Sequence, residues 1–88
     1  MVGRYYFHLN ECGRTLADSE GRDLPDDADL RGIAIHEARA IMQAEIGDGR
    51  LCLSCAIEIC DEDGCLISRV EFRDAVAVSG AIGCEASD

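Results

Sequence analysis

Residues 24–47, LPDDADLRGIAIHEARAIMQAEIG, decide the fold of this chain. They form the only segment whose apolar residues recur at a helical period over enough length to predict a long helix. Leu24, Pro25 and Asp26 are typical of a helix start, because proline fixes φ and the aspartate can accept a bond from a first-turn N–H. The segment Gly47-Asp48-Gly49 is expected to end the helix, because glycine readily takes the left-handed conformation that caps helices. The prediction is a helix of about twenty residues, roughly 30 Å long.

The apolar side chains of this helix form a stripe that is wider than one contact with a sheet requires. The stripe consists of Leu30, Ile33, Ala34, Ala38, Ile41 and Ala44, and it is extended by Ile35, Met42 and Ile46. Either another segment folds over the extension, or the extension is a self-association surface. Glu37 falls within the stripe and is expected to reach water or an arginine at its edge.

The segment before the helix predicts a β-hairpin. Residues 4–9 alternate between apolar and polar, and their aromatic content is typical of a half-buried strand. Residues 15–17 predict a short return strand, and residues 18–23 predict a polar loop that leads to the helix.

The segment after the helix predicts a second hairpin. Residues 51–61 predict a strand that is strongest over residues 56–59, and residues 61–64 predict a turn with Gly64 where φ is positive. Residues 65–72 predict the return strand. Its core-facing side chains are expected to be Leu66, Val70 and Phe72.

The predicted order of elements is therefore ββαββ, an α+β fold in which one antiparallel sheet of two hairpins packs on a single long helix. Residues 1–78 are expected to form one domain, and residues 79–88 a loosely ordered acidic tail. A chain of 88 residues buries only roughly 60–65% of its unfolded surface. Dimerisation would add stability to such a thin core.

The charge of the chain excludes several kinds of partner. Eighteen acidic and eight basic residues give a net charge of −10, and there is no lysine. Nucleic acids and anionic membranes are recognised by clustered basic side chains, so neither is an expected partner. No apolar run approaches the ~20 residues of a membrane span, and no signal-peptide core is evident. We expect a cytoplasmic protein whose six cysteines are reduced.

Several short segments give the chain a resemblance to a known family. They are residues 4–9 (RYYFHL), 18–21 (DSEG), 24–26 (LPD), 61–64 (DEDG) and 70–72 (VEF). In this order and spacing, the chain resembles a group of short bacterial proteins known only as a domain of unknown function. The resemblance implies the ββαββ fold and a stand-alone cytoplasmic protein, and it brings no activity, cofactor or catalytic residue. The cysteines from Cys52 onward lie outside the family's pattern.

Cys52 and Cys55 form a Cys-x-x-Cys pair, which can bind zinc or cycle through a disulfide. Cys60 and Cys65 flank the second turn and could complete a four-thiolate zinc site. In a strand, however, residues 52 and 55 point to opposite faces about 10 Å apart. The pair can act together only if residues 49–55 form a loop, and a redox role favours a helix N-terminus, whereas a strand is predicted here.

His8 shares the face of the first strand that points away from Phe7, together with Tyr6. A catalytic histidine needs a nucleophile within hydrogen-bond reach, and Cys60 is the one candidate. A solvated sheet face or a sheet-to-sheet dimer contact is the simpler explanation.

Three functional hypotheses remain. The first is a non-enzymatic module without a cofactor that forms a homo-oligomer or binds a protein partner, with an interaction surface at Tyr6, His8, Ile35, Met42 and Ile46. The second is a zinc module at Cys52, Cys55, Cys60 and Cys65. The third is a small enzyme that uses His8 and Cys60.

Overall fold

The computed structural model describes residues 2–11 and 13–77. The elements are β1 (Val2–Glu11), β2 (Arg14–Leu16), β3 (Arg22–Pro25), α1 (Leu30–Gly47), β4 (Ala56–Cys60), β5 (Leu66–Glu71) and α2 (Phe72–Ala75). Five strands form one antiparallel sheet beside one long helix, which confirms the α+β prediction. The structure adds β3 and α2 to the predicted order. The predicted tail, residues 79–88, lies outside the described residues.

Strand β1 lies at the centre of the sheet. It pairs with β4 on one side, and β5 follows beyond β4. On its other side β1 pairs with β2 along its C-terminal half and with β3 along its N-terminal half. Residues 22–25 were expected to lie in a loop and in the helix start, so β3 is a correction to that prediction.

Asp18 lies between β2 and β3 and fills a break in their pairing with β1. Leu9 is opposite Leu16, and Tyr5 is opposite Arg22. The chain therefore advances six residues from β2 to β3, while β1 advances only four over the same distance. The Phe7 N–H, which falls at this break, donates to Asp18 Oδ2 at 3.1 Å. The Asp18 side chain thus replaces the main-chain acceptor that the Phe7 N–H lacks at the break. Beyond the break, main-chain pairing with β1 continues in β3.

Helix α1 begins later than its sequence predicts. Pro25 ends β3 opposite Val2, and the helix starts at Leu30 with Asp29 as its N-cap. The Asp29 carboxylate accepts a hydrogen bond from the Gly32 N–H at 3.0 Å. The helix ends at Gly47, as predicted, and the glycine in the left-handed conformation is Gly49, whose φ is 85°.

The core lies between α1, α2 and one face of the sheet. The sheet contributes Phe7, Ile57, Ile59 and Val70, and the helices contribute Ala34, Ala38, Met42, Phe72 and Ala75. Phe72 was predicted to end a strand, but it begins α2, and its N–H donates to the Cys55 carbonyl at 2.9 Å. The alternating pattern predicted the burial of Phe72 correctly but not its backbone conformation.

A register shift in the β4–β5 pair changes which side chains of β5 face the core. Ile59 lies opposite Ser68, whereas the next residue, Cys60, lies opposite Leu66. The extra residue moves Leu66 to the face opposite the core, where 57% of it is exposed. The prediction that Leu66 faces the core is therefore wrong.

Neither helix within the described part of the chain combines the length and apolar character that crossing a membrane requires.

Candidate functional site

The four cysteines of the hypothetical zinc site do not come together. Cys60 is at the last position of β4 and Cys65 is exposed beyond the turn. Cys55 directly precedes the first residue of β4, so about 16 Å of strand separates it from Cys60. Among residues 2–11 and 13–77, no three His, Cys, Asp or Glu side chains are grouped so that they could hold a metal ion.

Cys52 and Cys55, by contrast, lie side by side. Residues 50–55 form a loop, and β4 starts only at Ala56. The Cys55 thiol donates a hydrogen bond to Cys52 Sγ, with 2.7 Å between the two sulfur atoms. The expectation that a strand would hold these side chains on opposite faces is therefore wrong.

The two cysteines differ in their access to solvent. Cys55 is 1% exposed and packs in the hydrophobic core. Cys52 is half-buried, its N–H donates to Glu45 Oε1 at 3.3 Å, and its sulfur lies 3.4 Å from Ser54 Oγ. An approaching molecule would therefore meet Cys52 first.

A cleft of about 370 Å³ opens beside the two cysteines. Its other lining residues are Glu11, Arg14, Glu45, Arg50 and Leu51. Two guanidinium groups offset two carboxylates, so the lining is neutral in a chain whose net charge is −10. Sequence reasoning missed Arg14 and Arg50, and for Arg14, which comes from β2, no spacing signal could have found it.

His8 and Cys60 share a sheet face but do not form a nucleophile–base pair. His8 is opposite Glu58, and Cys60 is opposite Tyr6. His8 Nδ1 accepts a hydrogen bond from the Asp18 N–H at 2.9 Å. Burial, and then the charges of Glu58, Asp61 and Cys65, raise the pKa of the Cys60 thiol. Less of Cys60 is consequently thiolate, the form that acts as a nucleophile.

The sheet face opposite the helices, which we call the open face, carries Tyr6, His8, Glu58, Cys60 and Leu66. The rings of Tyr6 and His8 are stacked, with centroids 6.3 Å apart. Leu66 and its neighbour Ile67, which is 45% exposed, add apolar surface at one end. Sequence reasoning missed this contribution, because a strand pattern alone does not reveal a register shift.

Acidic and basic side chains alternate along the open face and its edge. Arg69 Nη1 contacts Glu58 Oε2 at 2.5 Å, and Arg69 Nε lies 3.8 Å from Glu71 Oε2. Arg73 Nη2 contacts Glu71 Oε1 at 2.8 Å. Two acids thus offset two bases, so this part of the surface carries no net charge.

The helix side of the predicted interaction surface is smaller than expected. Met42 is 2% exposed and belongs to the core, and Ile35 is half-buried against that core. Helix α2 packs on α1, and Arg39 Nε donates to the Ala75 carbonyl at 2.7 Å. Only Ile46, which is 62% exposed, remains open to solvent.

Glu37 has the arginine partner that its position on the helix predicts. Its carboxylate lies 2.7 Å from Arg22 Nη2, and the Arg22 guanidinium stacks 4.5 Å above the Phe7 ring. The contact links β3 to α1, and this confirms the structural interpretation of Glu37.

The chain is thus a small α+β protein in which two helices cover one face of a five-stranded antiparallel sheet. It belongs to the family described as Domain of unknown function (DUF6894), whose model matches residues 4–73. The match includes every segment on which the resemblance was based. Comparisons with curated proteins and with solved structures give no match.

Proposed function

We propose that this protein is a non-enzymatic, cytoplasmic interaction module that associates with a second copy of itself through the open face of its sheet. The observation that carries the proposal is the apolar surface of Leu66, Ile67 and Tyr6 on that face. Both helices lie on the other side of the sheet, so no helix of the described residues covers this surface.

Charge favours a second copy as the occupant of the open face. Two molecules with a net charge of −10 repel each other, and the repulsion is smallest where the approaching surfaces are neutral. Arg69 and Arg73 neutralise Glu58 and Glu71 on this face and its edge. A two-fold axis through the apolar end of the face would also place this patch of one copy against the same patch of the other.

The exposed thiol of Cys65 supports the cytoplasmic part of the proposal, since an accessible thiol persists in a reducing compartment. Neither the zinc site nor the His8–Cys60 enzyme gains comparable support. Two of the four sulfurs of the zinc site lie together. His8 Nδ1 is engaged by the Asp18 N–H, and the raised pKa of Cys60 makes its thiol a poorer nucleophile.

The test is sedimentation velocity of reduced protein, comparing wild type with Leu66→Glu. Leu66 is 57% exposed, so the substitution leaves the fold intact but places two carboxylates in the contact. We expect a wild-type dimer and a dissociation constant raised at least about tenfold by the substitution. Ile46→Glu is the matched control, because Ile46 is 62% exposed at the end of α1, away from the open face. A wild type that stays monomeric, or equal weakening by both variants, would overturn the proposal.

A further inference from the structure

We infer that Cys52 and Cys55 form a thiol–disulfide exchange site that reduces the disulfide of a small thiol entering the cleft beside Cys52. The inference rests on the loop and the cleft, and it is independent of the open face. The sulfur atoms of Cys52 and Cys55 are 2.7 Å apart, whereas a disulfide bond is about 2.05 Å long. A shift of roughly 0.7 Å would therefore bring them to bonding distance.

The loop that contains the pair allows both sulfurs to lie on the same side. Residues 50–55 are free of strand pairing, which would separate the two side chains. The loop is also held at both ends, since the Cys52 N–H donates to Glu45 and the Cys55 carbonyl accepts from the Phe72 N–H. The two thiols are therefore positioned before any oxidant arrives.

Exposure assigns a different role to each cysteine. Cys52 lines the cleft and is half-buried, so it is the sulfur that an incoming disulfide can reach. Cys55 is 1% exposed, but its sulfur lies 2.7 Å from that of Cys52, so it can reach a disulfide formed on Cys52. Cys52 is accordingly the attacking sulfur, and Cys55 is the resolving sulfur.

The exchange proceeds in two balanced steps. The Cys52 thiolate attacks one sulfur of the small disulfide, whose S–S bond breaks as one thiolate leaves with the bonding electron pair. Cys55, having lost its proton, then attacks the Cys52 sulfur of the mixed disulfide and displaces the second thiolate. The two protons from Cys52 and Cys55 pass through solvent to the released thiolates. Two electrons are thus transferred, and two small thiols and one Cys52–Cys55 disulfide are formed.

A structural disulfide is a weaker explanation for the pair. The loop that such a bond would close is very short, and the stabilisation from loop closure grows with loop length. The Cys55 side chain is already fixed by its burial in the core. A reversible bond at the wall of a cleft fits exchange chemistry better than it fits stabilisation of the fold.

The test equilibrates the full chain with glutathione buffers of increasing oxidised fraction, followed by acid quenching and digestion. Trypsin and glutamyl endopeptidase together release residues 51–58, LCLSCAIE, which separates Cys52 and Cys55 from Cys60 and Cys65. We expect this peptide to lose two hydrogens reversibly across the buffer series. Absence of that loss, or a disulfide from either residue to Cys12 or Cys84, would overturn the inference.

Substitutions test the order of attack. In Cys55→Ser and Cys55→Ala the resolving sulfur is missing, so a mixed disulfide of glutathione on Cys52 should accumulate about tenfold above wild type. Alanine keeps the buried site apolar if serine impairs folding. Cys65→Ser is the control, since Cys65 is exposed but distant from the cleft, and it should leave the Cys52–Cys55 equilibrium unchanged. Folded Cys55 variants that fail to trap glutathione would contradict the assigned order.

Discussion

Asp18 shows how a single side chain can determine the pairing of two strands. Its carboxylate accepts hydrogen bonds from the backbone N–H groups of Phe7, Glu20 and Gly21 at 3.1–3.2 Å. Burial opposes ionisation of Asp18, but these three donors and the charge of Arg22 outweigh it and lower the pKa of the carboxyl group. The DSEG segment, one basis of the family resemblance, therefore has a structural role at the break beside β1.

Asp18→Ala is expected to reduce the free energy of unfolding by about 1–3 kcal/mol, because it leaves the partly buried Phe7 N–H without its acceptor. Asp18→Asn retains one acceptor oxygen and should cost less. Urea unfolding of both variants and wild type measures these differences.

The same residue predicts a pH dependence. Because the pKa of Asp18 is lower in the folded protein, its contribution is fully present above the ordinary value of 3.8 and disappears as the pH falls through the lower folded pKa. The stability difference between wild type and Asp18→Asn should therefore shrink on acidification. Asp63→Asn, which removes an exposed carboxylate from a turn, is the control. A difference that stays constant to low pH would contradict this role of Asp18.

Gly21 follows Asp18 and combines a positive φ of 73° with close packing. A Cβ atom at this position would lie 2.9 Å from Tyr6 Cε2 and 3.1 Å from the Tyr5 carbonyl oxygen. Gly64 has a similar φ of 82°, but a Cβ atom there would have no neighbour within 4 Å.

Gly64→Ala is therefore expected to cost about 1 kcal/mol from backbone strain alone. Gly21→Ala should cost roughly 1–3 kcal/mol more, because the Tyr5 carbonyl oxygen belongs to the backbone of β1 and cannot move away from the new Cβ atom. Thermal and urea unfolding compare the two variants. Equal costs would mean that the space around Gly21 is more open than the structure indicates.

Helix α1 depends on its N-cap at Asp29. Asp29→Ala should lower the free energy of unfolding by about 1 kcal/mol, since the Gly32 N–H loses its acceptor. Asp27→Ala removes an exposed charge two residues earlier and should change stability by less than about 0.5 kcal/mol. A larger loss at Asp27 than at Asp29 would contradict the assignment of Asp29 as the N-cap.

The elements show how far the sequence could predict this fold. The apolar period of α1 and the alternation in β1 predicted their type and faces correctly, because both signals are local. The start of α1 was misplaced because Pro25 is compatible with a helix start and with the end of an edge strand. Only the pairing of Pro25 with Val2, across more than twenty residues, decides between them.

The candidate sites depend on such non-local features even more strongly. Leu66 is exposed because of a register shift, and the cleft beside Cys52 joins residues from β2, α1 and the loop before β4. Sequence spacing identified the Cys52–Cys55 pair but assigned it to a strand. The Cys-x-x-Cys pattern specifies the chemistry, whereas the loop that makes the chemistry possible is set by the tertiary fold.

At the scale of the whole molecule, the net charge of −10 predicts how salt affects association. Two acidic copies repel each other, and sodium chloride screens this repulsion as the Debye length falls from ~10 Å at 0.1 M to ~3 Å at 1 M. The dimer dissociation constant should therefore decrease with added salt. Sedimentation at several salt concentrations measures it. A dimer that weakens with salt would rest on opposite charges rather than on a neutral apolar contact.

Self-association is the central claim, and native mass spectrometry of freshly reduced wild-type protein over a dilution series tests it most directly. We predict a species with the mass of two chains and no bound metal, which dissociates to one chain on dilution. A single chain at every concentration would contradict the claim. The same spectra, recorded with and without a chelator, would identify a monomer that carries zinc, and that result would favour the cysteine site over the open face.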